Sequence, residues 1–150
     1  MEKLVHHAEL RVFVKEAEDH DEIKEKLLAL IPFDLEQEKI KLKEQQATGF
    51  SDKKINILEI FLDKQRHLSK FIEFLKTNLD EEQKALLINQ ANSRLDDDMC
   101  FFIRFDKERW LEDSKLWITD DGYCFHLKLT IAAYPAKKEK ALETIKKIFK

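Results

Sequence analysis

Cys124 and His126 stand two residues apart on one face of an alternating segment, and Cys100 falls in a second alternating segment. Together they are the nearest this chain comes to a metal-ligand set. Zinc sites are ordinarily made from two tight ligand pairs, and here there is one loose pair, so no metal is expected. His6 and His7 point to opposite faces of an extended chain and cannot chelate together. Asp96, Asp97 and Asp98 could in principle hold magnesium or do acid–base work, but three carboxylates after a helical pattern fit a solvated connection better, because negative charge disfavours a helix C-terminus. Glu59, alone in an apolar run, fits an open sheet face or a buried acceptor better than a base. Phosphate-gripping loops need clustered glycines, and Gly49 and Gly122 lie far apart. Neither cysteine has thiol-enzyme surroundings and no Gly-x-Ser-x-Gly elbow exists, so an enzyme is not expected and no cofactor is implied.

A basic set remains. Arg11, Lys39, Lys41, Lys43, Arg104, His126 and Lys128 all fall at strand-type positions opposite an apolar face. If helices cover one side of a sheet, these side chains share the other, where phosphates could lie with Phe13 or Phe102 as stacking surface. An ordinary solvated sheet face is the plain alternative, since Lys and Arg are routine there. A second basic group, Lys137, Lys138, Lys140, Lys146, Lys147 and Lys150, is diluted by Glu139 and Glu143 and also suits a helix C-terminus.

The elements that must position these residues can be read from periodicity. Ala8, Leu10, Val12 and Val14 alternate with Glu9, Arg11, Phe13 and Lys15, the period of a half-buried strand. Asp19 and Glu22 form a capping box ahead of a helix over about 20–31, which Pro32 ends. Residues 39–43 alternate strictly, 48–52 carry turn residues, and 55–62 read as a central strand apolar on both sides, the pair making a hairpin. Leu68, Phe71, Ile72, Leu75 and Leu79 give a helix over about 65–79, and Asp80 with Gln83 caps another that runs to about Leu95. Residues 99–105 and 123–133 read as strands. Between them, 116–119 looks like a short strand turning at Asp120, Asp121 and Gly122 into the last one, and a final helix follows Pro135.

The expected class is α+β: an antiparallel sheet of five or six strands with about four helices, mostly on one face, in the order β-α-β-β-α-α-β-β-β-α. At 150 residues, with 43% hydrophobic and 38% charged residues and no linker-like stretch, one domain spanning 1–150 is expected. No apolar run reaches the ~20 residues of a membrane helix, no signal peptide opens the chain, and a cytoplasmic location with free thiols follows. The net charge of −3 means that a phosphate-binding role would need a local basic face.

The whole chain resembles a small archaeal family described as predicted RNA-binding proteins or exosome-associated subunits, with a double-stranded-RNA-binding-domain-like or ribosomal-protein-like fold. The resemblance is carried by 7–11, by Ile57, Leu58 and Glu59, by Arg94, Leu95 and Asp96 leading to 101–107, by 116–122, and most specifically by 132–142. It implies binding of structured or double-stranded RNA without catalysis, near RNA processing or translation, with exosome or ribosome-associated proteins as further partners. Arg11, Arg104 and Lys107 are inferred contacts when strand position is combined with that role. The alternative is a protein-interaction or dimerisation domain, motivated by the aromatic 101–105 strand and by Trp110 and Trp117, read as exposed.

Overall fold

The computed structural model describes residues 2–48 and 53–150. Its strands are β1 (Val5–Lys15), β2 (Lys43–Thr48), β3 (Lys54–Leu62), β4 (Cys100–Asp106) and β5 (Cys124–Ile131). Its helices are α1 (His20–Leu28), α2 (Gln65–Asn78), α3 (Glu81–Asn89), α4 (Ala91–Arg94), α5 (Lys107–Asp113) and α6 (Lys138–Phe149). The five strands form one antiparallel sheet in the order β2-β3-β1-β5-β4, so the class read from periodicity is the class observed.

Alternation decides the two faces. Leu10, Val12, Leu58, Ile60, Phe101, Ile103, Phe105, Phe125, Leu127 and Leu129 point one way and are buried. Against them pack Ile23 and Leu27 of α1, Leu68, Phe71 and Leu75 of α2, Leu87 of α3, and Ala141, Ile145, Ile148 and Phe149 of α6. Helices α2 and α6 each present one apolar stripe, and burial of such a stripe contributes about 1.5–3 kcal/mol per large side chain. The opposite face of the sheet carries the charged and aromatic residues.

Local capping follows the sequence. The Asp19 carboxylate accepts from the Glu22 N–H at 3.2 Å and the Asp80 carboxylate from the Gln83 N–H at 2.8 Å, so both expected helix starts are observed. Helix α1 stops at Leu28, and Leu30 and Ile31 stay buried in a succession of turns.

Three expectations are corrected. The alternating 39–43 segment is a loop except for its last residue: Lys39 has φ 58°, in the left-handed region, and β2 runs onward from Lys43. Pairing with β3 decides this, since Lys43 lies opposite Glu59 and Thr48 opposite Lys54. The turn read at 48–52 falls, apart from Thr48, outside the described residues. Second, 116–119 does not pair with β5, whose two edges are already occupied by β1 and β4. It lies along the outer edge of β4 through a single bridge, Ile118 to Phe105, with Asp106 N–H donating to Trp117 O at 2.7 Å and Thr119 N–H to Arg104 O at 2.9 Å. The buried Gln83 side chain holds it there by accepting the Ile118 N–H at 2.7 Å. Third, the connection after β4 is helix α5, capped by the Asp106 carboxylate, which accepts from the Arg109 N–H at 3.0 Å.

Candidate nucleic-acid interface

The pairing registers place one residue from each strand in a single row across the open face: Lys43, Glu59, Arg11, His126, Arg104. A second row beside it reads Phe61, Glu9, Lys128, Phe102. On the other side of the first row, Phe13 lies opposite Ile57. Phe13 and Phe61 are exposed although large and apolar, so two phenyl rings stand in solvent on a face that also carries cations.

These cations differ in availability. Arg11 lies between two carboxylates, Glu9 at 2.9 Å and Glu59 at 3.2 Å, and is largely neutralised by them. Among the described residues no carboxylate pairs with Lys43, Arg104 or Lys128. Arg104 is exposed and steadied by a hydrogen bond from Nη1 to the Asp120 carbonyl at 2.8 Å. His126 is half-buried, its ring 5.6 Å from that of Phe102. Burial lowers its pKa, and Arg104 and Arg11 lower it further, so its neutral form dominates at neutral pH.

Lys39 and Lys41 lie on the loop before β2, outside the sheet face. Lys107 is excluded from any surface role as placed: it is 2% exposed, and Nζ donates to the Phe13 carbonyl at 2.7 Å and to the Glu18 carboxylate at 3.2 Å, above the Tyr123 ring. Burial lowers its pKa, with Glu18 opposing. It fastens the start of α5 to the end of β1. Trp110 is buried and donates through its indole N–H to the Lys26 carbonyl at 2.8 Å, while Trp117 is covered by Arg109 and Lys115. Neither tryptophan offers the open aromatic surface read for it.

The metal alternative is also geometrically unfavourable. Cys100 pairs in register with Thr130 and Cys124 with Asp106, a separation of six residues along β5, or roughly 20 Å. Both thiols are free and buried, and burial raises that of Cys124. The aspartate run is a turn: Asp96 accepts from the N–H groups of Asp98 and Cys100, both at 2.9 Å.

The sequence reading missed the residue that completes the face. Arg94, at the end of α4, reaches the outer edge of β4 between the bridges made by Leu95 and Ile118. Its guanidinium donates to the Gln90 side chain at 2.9 and 2.7 Å and to the Phe102 carbonyl at 3.4 Å, and lies 3.5 Å from Asp120. Gln90, Ser93, Arg94, Phe102, Arg104, Asp120 and His126 line a depression of about 580 Å³. A smaller one of about 240 Å³ adjoins it across Arg104 and His126, with Arg11 and Phe13 in its wall.

Compared with known proteins, residues 7–132 match the family described as RNA binding. The chain belongs to that RNA-binding family. An RNA-binding protein of Pyrococcus abyssi is 25% identical over 142 residues, covering 94% of this chain and 91% of that protein. Among solved structures, a DUF54 protein of Methanothermobacter thermautotrophicus is similar at 28% identity and a TM-score of 0.78, covering 99% of this chain and 100% of that one. A protein of Archaeoglobus fulgidus, also DUF54, shares the fold at 24% identity and a TM-score of 0.84, covering 96% of this chain and 99% of its own. The matched stretch of this RNA-binding family member takes in β2 to β5, all of β1 but its first two residues, and Arg94.

Proposed function

We propose that the chain binds structured or double-stranded RNA non-catalytically, as one domain, by laying phosphates across the helix-free face of its sheet. The observation that carries this reading is the set of cations there that form no ion pair among the described residues, Lys43, Arg104 and Lys128, on the same face as the exposed rings of Phe13 and Phe61. Such a face supplies what RNA recognition uses: charge for phosphates and flat apolar surface for bases. An overall charge of −3 is compatible with it, because Glu9 and Glu59 form their ion pairs with Arg11 and, among the described residues, Arg104 and Lys128 form none. The family match to RNA-binding proteins supports the same partner. The setting in RNA processing or translation, the company of exosome or ribosome-associated proteins, the cytoplasmic location and the likeness to double-stranded-RNA-binding domains or ribosomal proteins enter this proposal from the resemblance alone.

The test is a triple variant, Lys43→Gln, Arg104→Gln and Lys128→Gln, in filter binding of a structured RNA over a salt series. Loss of three phosphate contacts flattens the slope of log K against log salt by roughly 2–3. Unchanged affinity and slope in a folded variant would remove the proposal's mechanical basis.

A further inference from the structure

Arg94 and Arg104 converge on one residue. The carboxylate of Asp120 lies 3.5 Å from the first guanidinium, and its carbonyl accepts from the second at 2.8 Å. Two like charges are thus gathered at the mouth of the same depression, with Asp120 as the one carboxylate lining it among the described residues. That carboxylate is 94% exposed, and an exposed pair of this kind contributes only about 0–1 kcal/mol, so an incoming anion displaces it easily. Arg94 itself is held in place: its side chain is 11% exposed, and Gln90 grips the guanidinium through two hydrogen bonds. Gln90 occupies the Nε–Nη2 edge of that guanidinium, so an anion meets it on the Nη2 side, where the Asp120 carboxylate now lies.

Beside the two guanidiniums lie the tilted rings of Phe102 and His126, and Gln90 and Ser93 add polar groups at the rim. The volume of about 580 Å³ falls within the range of small-ligand sites. Two aromatic rings, either of which offers a face to a base, next to a pair of guanidiniums in a hollow of that size match the chemistry of one nucleotide: a phosphate on one side and a base on the other. A continuous duplex cannot fill it, since its bases are stacked inside the helix.

Building on the proposed RNA-binding role, we infer that this hollow holds a single unpaired nucleotide of the bound RNA, phosphate between Arg94 and Arg104 and base against Phe102 and His126. The site would therefore prefer RNA with an overhang, bulge or loop over a blunt duplex. Asp120 acts as a stand-in for the phosphate when RNA is absent.

The full-length chain is titrated with a blunt RNA duplex and with the same duplex bearing one unpaired nucleotide, and separately with uridine 5′-monophosphate, uridine and inorganic phosphate while the Arg94, Arg104 and His126 side-chain NMR signals are followed. The unpaired nucleotide is expected to tighten binding about tenfold, the worth of one stacked base. Arg94→Gln removes that difference, and Asp120→Asn enlarges it. The monophosphate moves all three side-chain signals more than uridine or inorganic phosphate does. Equal affinity for the two duplexes, or equal responses to monophosphate and inorganic phosphate, would overturn the inference. If the Lys43 and Lys128 variants still weaken both duplexes, only the nucleotide site falls; if neither RNA binds wild-type chain, the proposed function falls with it.

Discussion

Arg11 occupies the centre of the open face yet lies between Glu9 and Glu59, and this makes Glu59→Gln an informative perturbation. Glutamine keeps the shape and can still accept a hydrogen bond, so the sheet should fold normally. A phosphate lying on the face at ~8 Å from the Glu59 carboxylate is repelled by about 0.5 kcal/mol even at the dielectric of bulk water. Arg11, released from one of its two partners, becomes available for a further exposed ion pair of about 0.5 kcal/mol. Together these amount to about 1 kcal/mol, or roughly a fivefold tighter Kd at low salt. A gained phosphate contact also steepens the salt slope, by about 0.7–0.9. Fluorescence anisotropy of a labelled structured RNA across a salt series measures both quantities. A neutralised carboxylate that leaves Kd and slope where they were, in a variant with wild-type melting behaviour, would refute the reasoning that phosphates pass over this row.

Breaking the buried contact of Lys107 with Glu18 and the Phe13 carbonyl by Lys107→Met should cost about 3 kcal/mol, seen as a drop of roughly 6–12 °C in Tm, with RNA affinity per folded molecule unchanged. Gln83→Leu strands the buried Ile118 N–H, costs about 2 kcal/mol, and should abolish hydrogen-exchange protection at Ile118 before the sheet core is affected. The folded pKa of His126 is lowered by burial and by Arg104, Arg11 and Lys128, with Glu9 opposing, so its contribution to stability is complete above the ordinary imidazole value and diminishes as pH falls below it. A bound phosphate reverses that preference, so RNA affinity should rise as pH falls from about 7 to about 5.5, and His126→Gln should flatten the dependence. An unaltered pH profile in that variant would place the phosphates away from His126.

The sequence made the alternating strands legible because a period of two separates a buried face from an open one, and Arg11, Arg104, His126 and Lys128 were assigned to the open face on that ground alone. The helix starts at Asp19 and Asp80 were legible for a similarly local reason, the spacing of a capping carboxylate. Alternation failed at 39–43, where no pairing partner exists for most of the segment and the register with β3 begins only at Lys43. It also placed Lys107 on the surface, because periodicity says nothing of a side chain that turns back under the sheet end to reach Glu18. Helix α5 carries a local signal in the sequence, Asp106 as cap with Glu108 in the first turn. Arg94 carries part of the family resemblance, but no local spacing marks it as a contact: its position depends on which strand edge its short helix meets, and that is a property of the assembled chain.

RNA is proposed to lie on the helix-free face rather than on the lysines of α6. Mapping backbone amide shifts on titration with a structured RNA tests this directly. Perturbations are expected to concentrate in β1, β4 and β5 at Arg11, Phe13, Phe102, Arg104, His126 and Lys128, with α6 quiet. A footprint centred on Lys140, Lys146 and Lys147, leaving those strands unmoved, would contradict it.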